Sequence, residues 1–218
     1  FKNQSLMIDV GMHLGSLLAV LFYFRQDFLN ILKNKQILNL MVIGSIPLIL
    51  AGFIIYTTGL IDFVRNLKLL AWLSLIFAIV LYFADKIKVT KKIDTDLNLK
   101  TILIIGLFQI ASLFPGVSRS GIVITAGRFL NFDRYDASKI SFYLSMPAIA
   151  GASFLSLKDV FTNDATFNSL IILSVFLSFI FSYITIKYFL IFIKNFNFNI
   201  FIIYRIILSL FIFYIIYS

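Results

Sequence analysis

From Gln36 to Ile61 the chain runs without a single charged side chain. A helix needs about 20 mostly apolar residues to cross the hydrocarbon of a bilayer. Further uncharged windows lie at 10–24, 69–84, 101–118, 140–157 and 165–186. A last apolar stretch, 195–218, is broken only by Arg205. The runs are continuous, as in Leu170-Ile171-Ile172-Leu173, and lack the alternation of barrel strands. With 218 residues, 61% of them hydrophobic and 13% charged, the chain is too apolar to hide its excess in a soluble core. Mean hydropathy is +0.99. The expected fold class is all-α, a polytopic membrane helix bundle in one domain over 1–218.

The net charge of +9 does not point to nucleic acid, because the 19 Lys and Arg sit in short clusters between apolar runs. With no cysteine, disulfides, thiolate metal sites and cysteine nucleophiles are excluded. His13 is the only histidine, so no multi-histidine metal site can form. The acids are ten aspartates and no glutamate. Phe1 is followed by the polar Lys2-Asn3-Gln4, which leads straight into an apolar run as a loop does, and a preceding segment is expected.

The window that begins at Thr101 differs from the rest. It runs to Phe114 and meets Pro115-Gly116-Val117-Ser118-Arg119-Ser120-Gly121, after which a second apolar piece covers Ile122 to Leu130. Proline removes a backbone donor and turns the preceding residue away from helix. Two half-length helices around a polar break predict a re-entrant hairpin near 101–130, tolerated at membrane depth only inside protein or beside a wet cavity. Loop charge argues the same way. Without Arg119 and Arg205, seventeen Lys and Arg remain. A single crossing by 101–130 splits them nine to eight between the two sides; a piece that enters and leaves on one side splits them thirteen to four. The expectation is six spanning helices near 5–25, 37–57, 67–85, 138–157, 166–187 and 197–217. Cytoplasmic loops are expected at 26–36, 86–100 and 188–196.

Arginine is the best bidentate partner for phosphate, and serine hydroxyls with the N–H groups of a helix start can complete an anion cradle. An arginine at bilayer depth costs at least about 2.5–3.5 kcal/mol, so Arg119 calls for an anionic partner such as a phosphate; the plainer alternatives are that it caps the helix before it or pairs with an aspartate. Arg205, inside the last apolar stretch, either pairs with an aspartate or touches the same anion. His13 reads as a proton-transfer group or a neutral bundle histidine. Asp9, one turn earlier, either orients it or marks the membrane interface. Gln109 is a supporting donor or plain packing.

The run Gln109 to Gly121 resembles the second signature of the undecaprenyl-diphosphate phosphatases, the bacitracin-resistance family: Pro-Gly-x-Ser-Arg-Ser followed by x-x-Thr. Asp9 to Ala19, Ile46-Pro47, Ser141 to Pro147 and Tyr204-Arg205 also fit, so the resemblance covers essentially the whole chain. It implies hydrolysis of undecaprenyl diphosphate to undecaprenyl phosphate and phosphate, which recycles the cell-wall lipid carrier and confers bacitracin resistance. It further implies a bacterial cytoplasmic membrane location, a site open to the periplasmic face, and an inverted-repeat architecture with two re-entrant hairpins.

Carried onto this sequence, the resemblance makes Arg119, Ser118 and Ser120 the catalytic residues. Gly116, Gly121, Gln109, Thr125 and His13 become substrate-binding. No metal ligand is expected in this chain. Two departures stand out. The family's first signature pairs two glutamates, which this sequence does not contain, so its first helix and first hairpin are expected to be missing here. A divalent cation, magnesium or calcium, would bind through those glutamates. The signature threonine falls at Val123, with Thr125 two residues on as an imperfect substitute. Expected partners are the polyprenyl diphosphate, membrane lipid and a second copy in a homodimer, with no nucleic acid. The rival reading is a transporter or lipid flippase moving an anionic substrate past Arg119; a third is a membrane protein without catalysis.

Overall fold

A computed structural model describes residues 2–59, 66–162 and 169–218. Its elements are α1 (Lys2–Tyr23), α2 (Arg25–Lys33), α3 (Lys35–Thr57), α4 (Leu67–Asp85), α5 (Ile93–Asp96), α6 (Leu99–Ile110), α7 (Arg119–Phe129), α8 (Arg134–Thr162), α9 (Ser169–Asn195) and α10 (Asn199–Tyr217). Among the described residues the fold is all-helical, and four helices there are long and apolar enough to cross a membrane: the spans Lys35–Ile55, Leu67–Asp85, Ile171–Asn195 and Asn199–Tyr217. Their outward surfaces carry exposed Ile, Leu and Phe, such as Ile172, Phe181, Ile207 and Phe211. The chain is a multi-pass membrane protein, in which lipid replaces water as the solvent of those faces.

The helices correspond to the uncharged windows, with differences at their ends. The segment 26–36, expected as a loop, is helical from Arg25 to Lys33. Its charges end the apolar window but not the helix, because Arg, Gln, Leu and Lys are all good helix formers. α8 continues past residue 157 to Thr162, and α9 continues past 187 to Asn195. Residues 166–168 of the expected fifth span lie outside the described residues, as do the side chains of Asp9 and Lys158.

The chain divides into two compact units. The first comprises 1–38 and 143–192. There α1 lies against α9. A side chain at Gly15 would strike the Val175 carbonyl, so the two backbones approach as only small residues permit. Ser178 Oγ donates to the Met12 carbonyl at 2.7 Å. Val10 and Ile171 pack with Leu14 and Val175, and Phe22 meets Phe179 edge-on at 5.9 Å.

The second unit comprises 39–142 and 193–218. α10 lies along α4: Ser209 Oγ donates to the Ala71 carbonyl at 2.7 Å, and Trp72 meets Phe213 at 5.0 Å. Polar hydroxyls buried between these apolar helices are spent on backbone carbonyls, since lipid offers them no other partner. α6 and α7 form the interrupted pair. Asn98 caps α6 with a reciprocal bond to Thr101, which fixes where the first half-helix begins. A single 3-10 turn, Ala111–Leu113, ends it.

Candidate active site

The site is built on the break between α6 and α7. Phe114 takes an extended conformation ahead of Pro115, as a residue before proline must. Gly116 follows at φ 88, in the left-handed region. A Cβ there would also collide with the Leu70 carbonyl of α4, so backbone meets backbone at this point. Two donors hold the Gly116 carbonyl. Ser74 Oγ reaches it from α4 at 3.2 Å, and Arg205 Nη2 reaches it from α10 at 2.5 Å. The same Nη2 donates to the Val117 carbonyl at 3.1 Å.

Ser118 has φ 65, a conformation that costs a non-glycine residue about 1–3 kcal/mol and that recurs at ligand-clamping loops. It is also the N-cap of α7, its Oγ accepting from the Gly121 amide at 3.3 Å. Ser118 Oγ and Ser120 Oγ are 3.5 Å apart, and both residues are exposed. The amide N–H groups of Ser118, Arg119 and Ser120 find no acceptor among the described residues. They stand at the positive end of α7 beside two hydroxyls, which is an arrangement suited to an anion.

Arg119 opens α7 and is half-buried. Among the described residues no carboxylate lies within ion-pair distance of it; Asp85, for one, pairs with Arg128 and Arg134. The aspartate partner that would have made Arg119 structural is therefore not present among those residues. Gly121, two residues on, leaves room that a Cβ would take from both Arg205 Nη1 and Ser118 Oγ, each 3.2 Å from its ideal position.

The remaining expected site residues are placed differently. Gln109, near the end of α6, is fully buried, and neither its Oε1 nor its Nε2 has a hydrogen-bond partner among the described residues. A buried amide left unpaired costs about 1–3 kcal/mol, so this side chain is poised for a water or ligand atom. Thr125 is buried one turn beyond Gly121, and its hydroxyl donates to the Gly121 carbonyl at 2.7 Å. Its proton is spent inside the helix, and it offers an anion only lone pairs. Val123, at the signature's threonine position, is buried. His13 belongs to the first unit, exposed on α1, with its carbonyl accepting from Ser16 Oγ at 2.9 Å. Among the described residues no three His, Asp or Glu side chains come together to hold a metal ion. The divalent cation that the resemblance implies would bind through glutamates that this sequence does not contain, and no chemical step is derived through one.

Arg205 is the residue whose role the sequence hid. Its partners are carbonyls rather than an aspartate. The available signal was a lone cation in an otherwise uncharged helix, set against a break that frees carbonyl groups in need of donors. A second feature lies at the base of the pair. The Lys91 amide donates to the Asn131 carbonyl at 3.2 Å and the Ile93 amide to Asp136 Oδ2 at 2.9 Å. These bonds tie the segment leading into α6 to the turn after α7 and to the start of α8, so both ends of the hairpin are held together.

The profile of the family described as "Bacitracin resistance protein BacA" matches residues 1–211. An undecaprenyl-diphosphatase of Pelagibacter ubique (strain HTCC1062) is 55% identical over 219 residues, covering 100% of this chain and 86% of that protein. One from Elusimicrobium minutum (strain Pei191) is 41% identical over 217 residues, covering 95% of this chain and 82% of that protein. One from Jannaschia sp. (strain CCS1) is 32% identical over 231 residues, covering 100% and 86%.

Proposed function

The chain belongs to the bacitracin resistance protein BacA family, and from that premise we propose that it hydrolyses undecaprenyl diphosphate to undecaprenyl phosphate and inorganic phosphate. The observation that carries this reading is the half-buried Arg119 guanidinium, without a carboxylate partner among the described residues, at a helix break that also presents the hydroxyls of Ser118 and Ser120.

Hydrolysis of a diphosphate places an oxygen of water on the terminal phosphorus while the bridging P–O bond breaks, and the inner phosphate leaves with the bond electrons. Negative charge gathers on the terminal oxygens and on the bridge. Catalysis of such a step is chiefly positioning and charge neutralisation. In this reading Arg119 grips two terminal oxygens with its planar fork. The free amides at the start of α7 and the hydroxyls of Ser118 and Ser120 donate to the remaining ones. Gln109 contributes its unpaired amide. Thr125, with its proton already donated to Gly121, supports the helix start rather than the phosphate.

The long prenyl tail stays in lipid, which suits a site on helices whose outer faces are apolar. We place the protein in the cytoplasmic membrane with this site open to the outer face, where it would return the lipid carrier for cell-wall synthesis. The test is direct. Protein from the complete reading frame, purified in detergent, is incubated with undecaprenyl diphosphate. Release of phosphate with formation of undecaprenyl phosphate is expected. No phosphate release in detergent, with intact diphosphate carried across the membrane when the same protein is placed in vesicles, would overturn the reading.

A further inference from the structure

We propose that Arg205 is a positioning residue for the Ser118–Ser120 cradle, acting through the carbonyls of Gly116 and Val117 rather than by touching phosphate; this rests on the reading that the loop holds the diphosphate. Arg205 comes from α10, nearly ninety residues away in sequence, and its Nη2 accounts for both bonds to the loop. In a trans peptide the C=O and the following N–H point in opposite directions. Holding the Val117 carbonyl on the Arg205 side therefore turns the N–H of Ser118 to the other side, while the N–H of Val117 donates to the Phe114 carbonyl at 3.4 Å. The next residue is Ser118 at φ 65, a conformation that persists only where the surroundings over-determine it.

Two more contacts bear on the same few atoms. Ser74 Oγ donates to the Gly116 carbonyl from α4, so this carbonyl has two anchors on two helices. Arg205 Nη1 lies 3.2 Å from where a Cβ on Gly121 would sit, as does Ser118 Oγ. The hydrogen bonds of the guanidinium, both from Nη2, go to the loop backbone.

This geometry separates the two arginines by experiment. A single nitrogen makes both Arg205 bonds, and a lysine ammonium carries three donors on a stem of similar reach. Arg205→Lys should keep turnover within about 10-fold of the native protein, because the geometry asks for donors and not a fork. Arg205→Met, which fills the space without donors, should lower kcat about 100-fold with KM little changed, as a misplaced reacting group does. Ser74→Ala alone should cost little, yet combined with Arg205→Lys it should cost more than the product of the two single effects, since both hold one carbonyl.

The measurements are kcat and KM for phosphate release from undecaprenyl diphosphate, with melting temperatures, on the complete protein in detergent. Losses confined to KM, or a Ser74→Ala/Arg205→Lys pair whose effects simply multiply, would overturn the proposal in favour of direct phosphate contact. If Arg205→Met does not fold, the Ser74→Ala/Arg205→Lys cycle decides alone. Ser118→Ala is the separate arm. If it leaves turnover intact, the reading of the loop as the site fails. If it lowers turnover while Arg205→Met does not, only the positioning role fails.

Discussion

Arg134 grips Asp85 with two parallel bonds, Nε to Oδ1 at 2.7 Å and Nη2 to Oδ2 at 3.0 Å, from a position 49 residues further along the chain. Asp85 is buried, and its Oδ2 also accepts from the Phe198 amide at 3.4 Å. Arg128 completes the cluster. Its Nη2 donates to the carbonyls of Asp85 at 2.9 Å and Ile87 at 2.7 Å, and its Nη1 to that of Phe132 at 2.6 Å. One aspartate thus joins the end of α4, the end of α7, the start of α8 and the start of α10.

Asp85→Asn is expected to destabilise the protein strongly. The amide cannot match two acceptor oxygens to the Arg134 fork, and it leaves Arg128 without its carboxylate. Removing one member of a buried ion pair costs about 3–5 kcal/mol, and the lower end applies because the Arg134 side chain is 36% exposed. A clear fall in melting temperature checks this. An unchanged melting temperature would mean that the backbone bonds of Arg128 alone hold the junction.

Gln109→Met should separate binding from stability. The native amide is fully buried with both polar atoms unpaired among the described residues. Replacing such a group by an apolar one of similar shape is neutral or stabilising. The melting temperature should hold or rise, while KM for undecaprenyl diphosphate rises. A variant with lower stability and native KM would assign Gln109 to packing.

The topology is testable with cysteines, because the chain has none of its own. Lys91→Cys and Lys194→Cys should react with an impermeant thiol reagent from the cytoplasmic side, and Lys158→Cys from the outer side. Labelling of Lys158→Cys and Lys91→Cys from one side would contradict the thirteen-to-four division of charge.

What the sequence made legible was apolar length. The window from 69 to 84 lies within α4, and the run after 195 became α10, because hydrophobic spans declare themselves residue by residue. The break at Pro115-Gly116 was equally visible, since proline and glycine carry their backbone preferences with them. α2 escaped because its charges interrupt the apolar count without interrupting the helix. Arg128 and Arg134 counted as loop charges, yet Arg128 is buried and both serve Asp85. Arg205 reads from the sequence as an aspartate's partner or a phosphate contact, and its partners are backbone carbonyls. Every residue has such a group, so no residue type advertises it. The left-handed turn at Ser118 was hidden for a related reason: the surroundings impose it against the residue's own preference.

The most direct test of the central claim is the turnover of Arg119→Lys on undecaprenyl diphosphate, measured as phosphate release beside a melting temperature. Lysine keeps the charge but loses the planar fork. If Arg119 clamps the terminal phosphate, turnover falls about 100-fold or more, as when a donor that stabilises transition-state charge is removed. The melting temperature should stay at the native value, because no carboxylate among the described residues depends on this guanidinium. Near-native turnover in Arg119→Lys would contradict the account and make the Pro115–Gly121 loop scaffold.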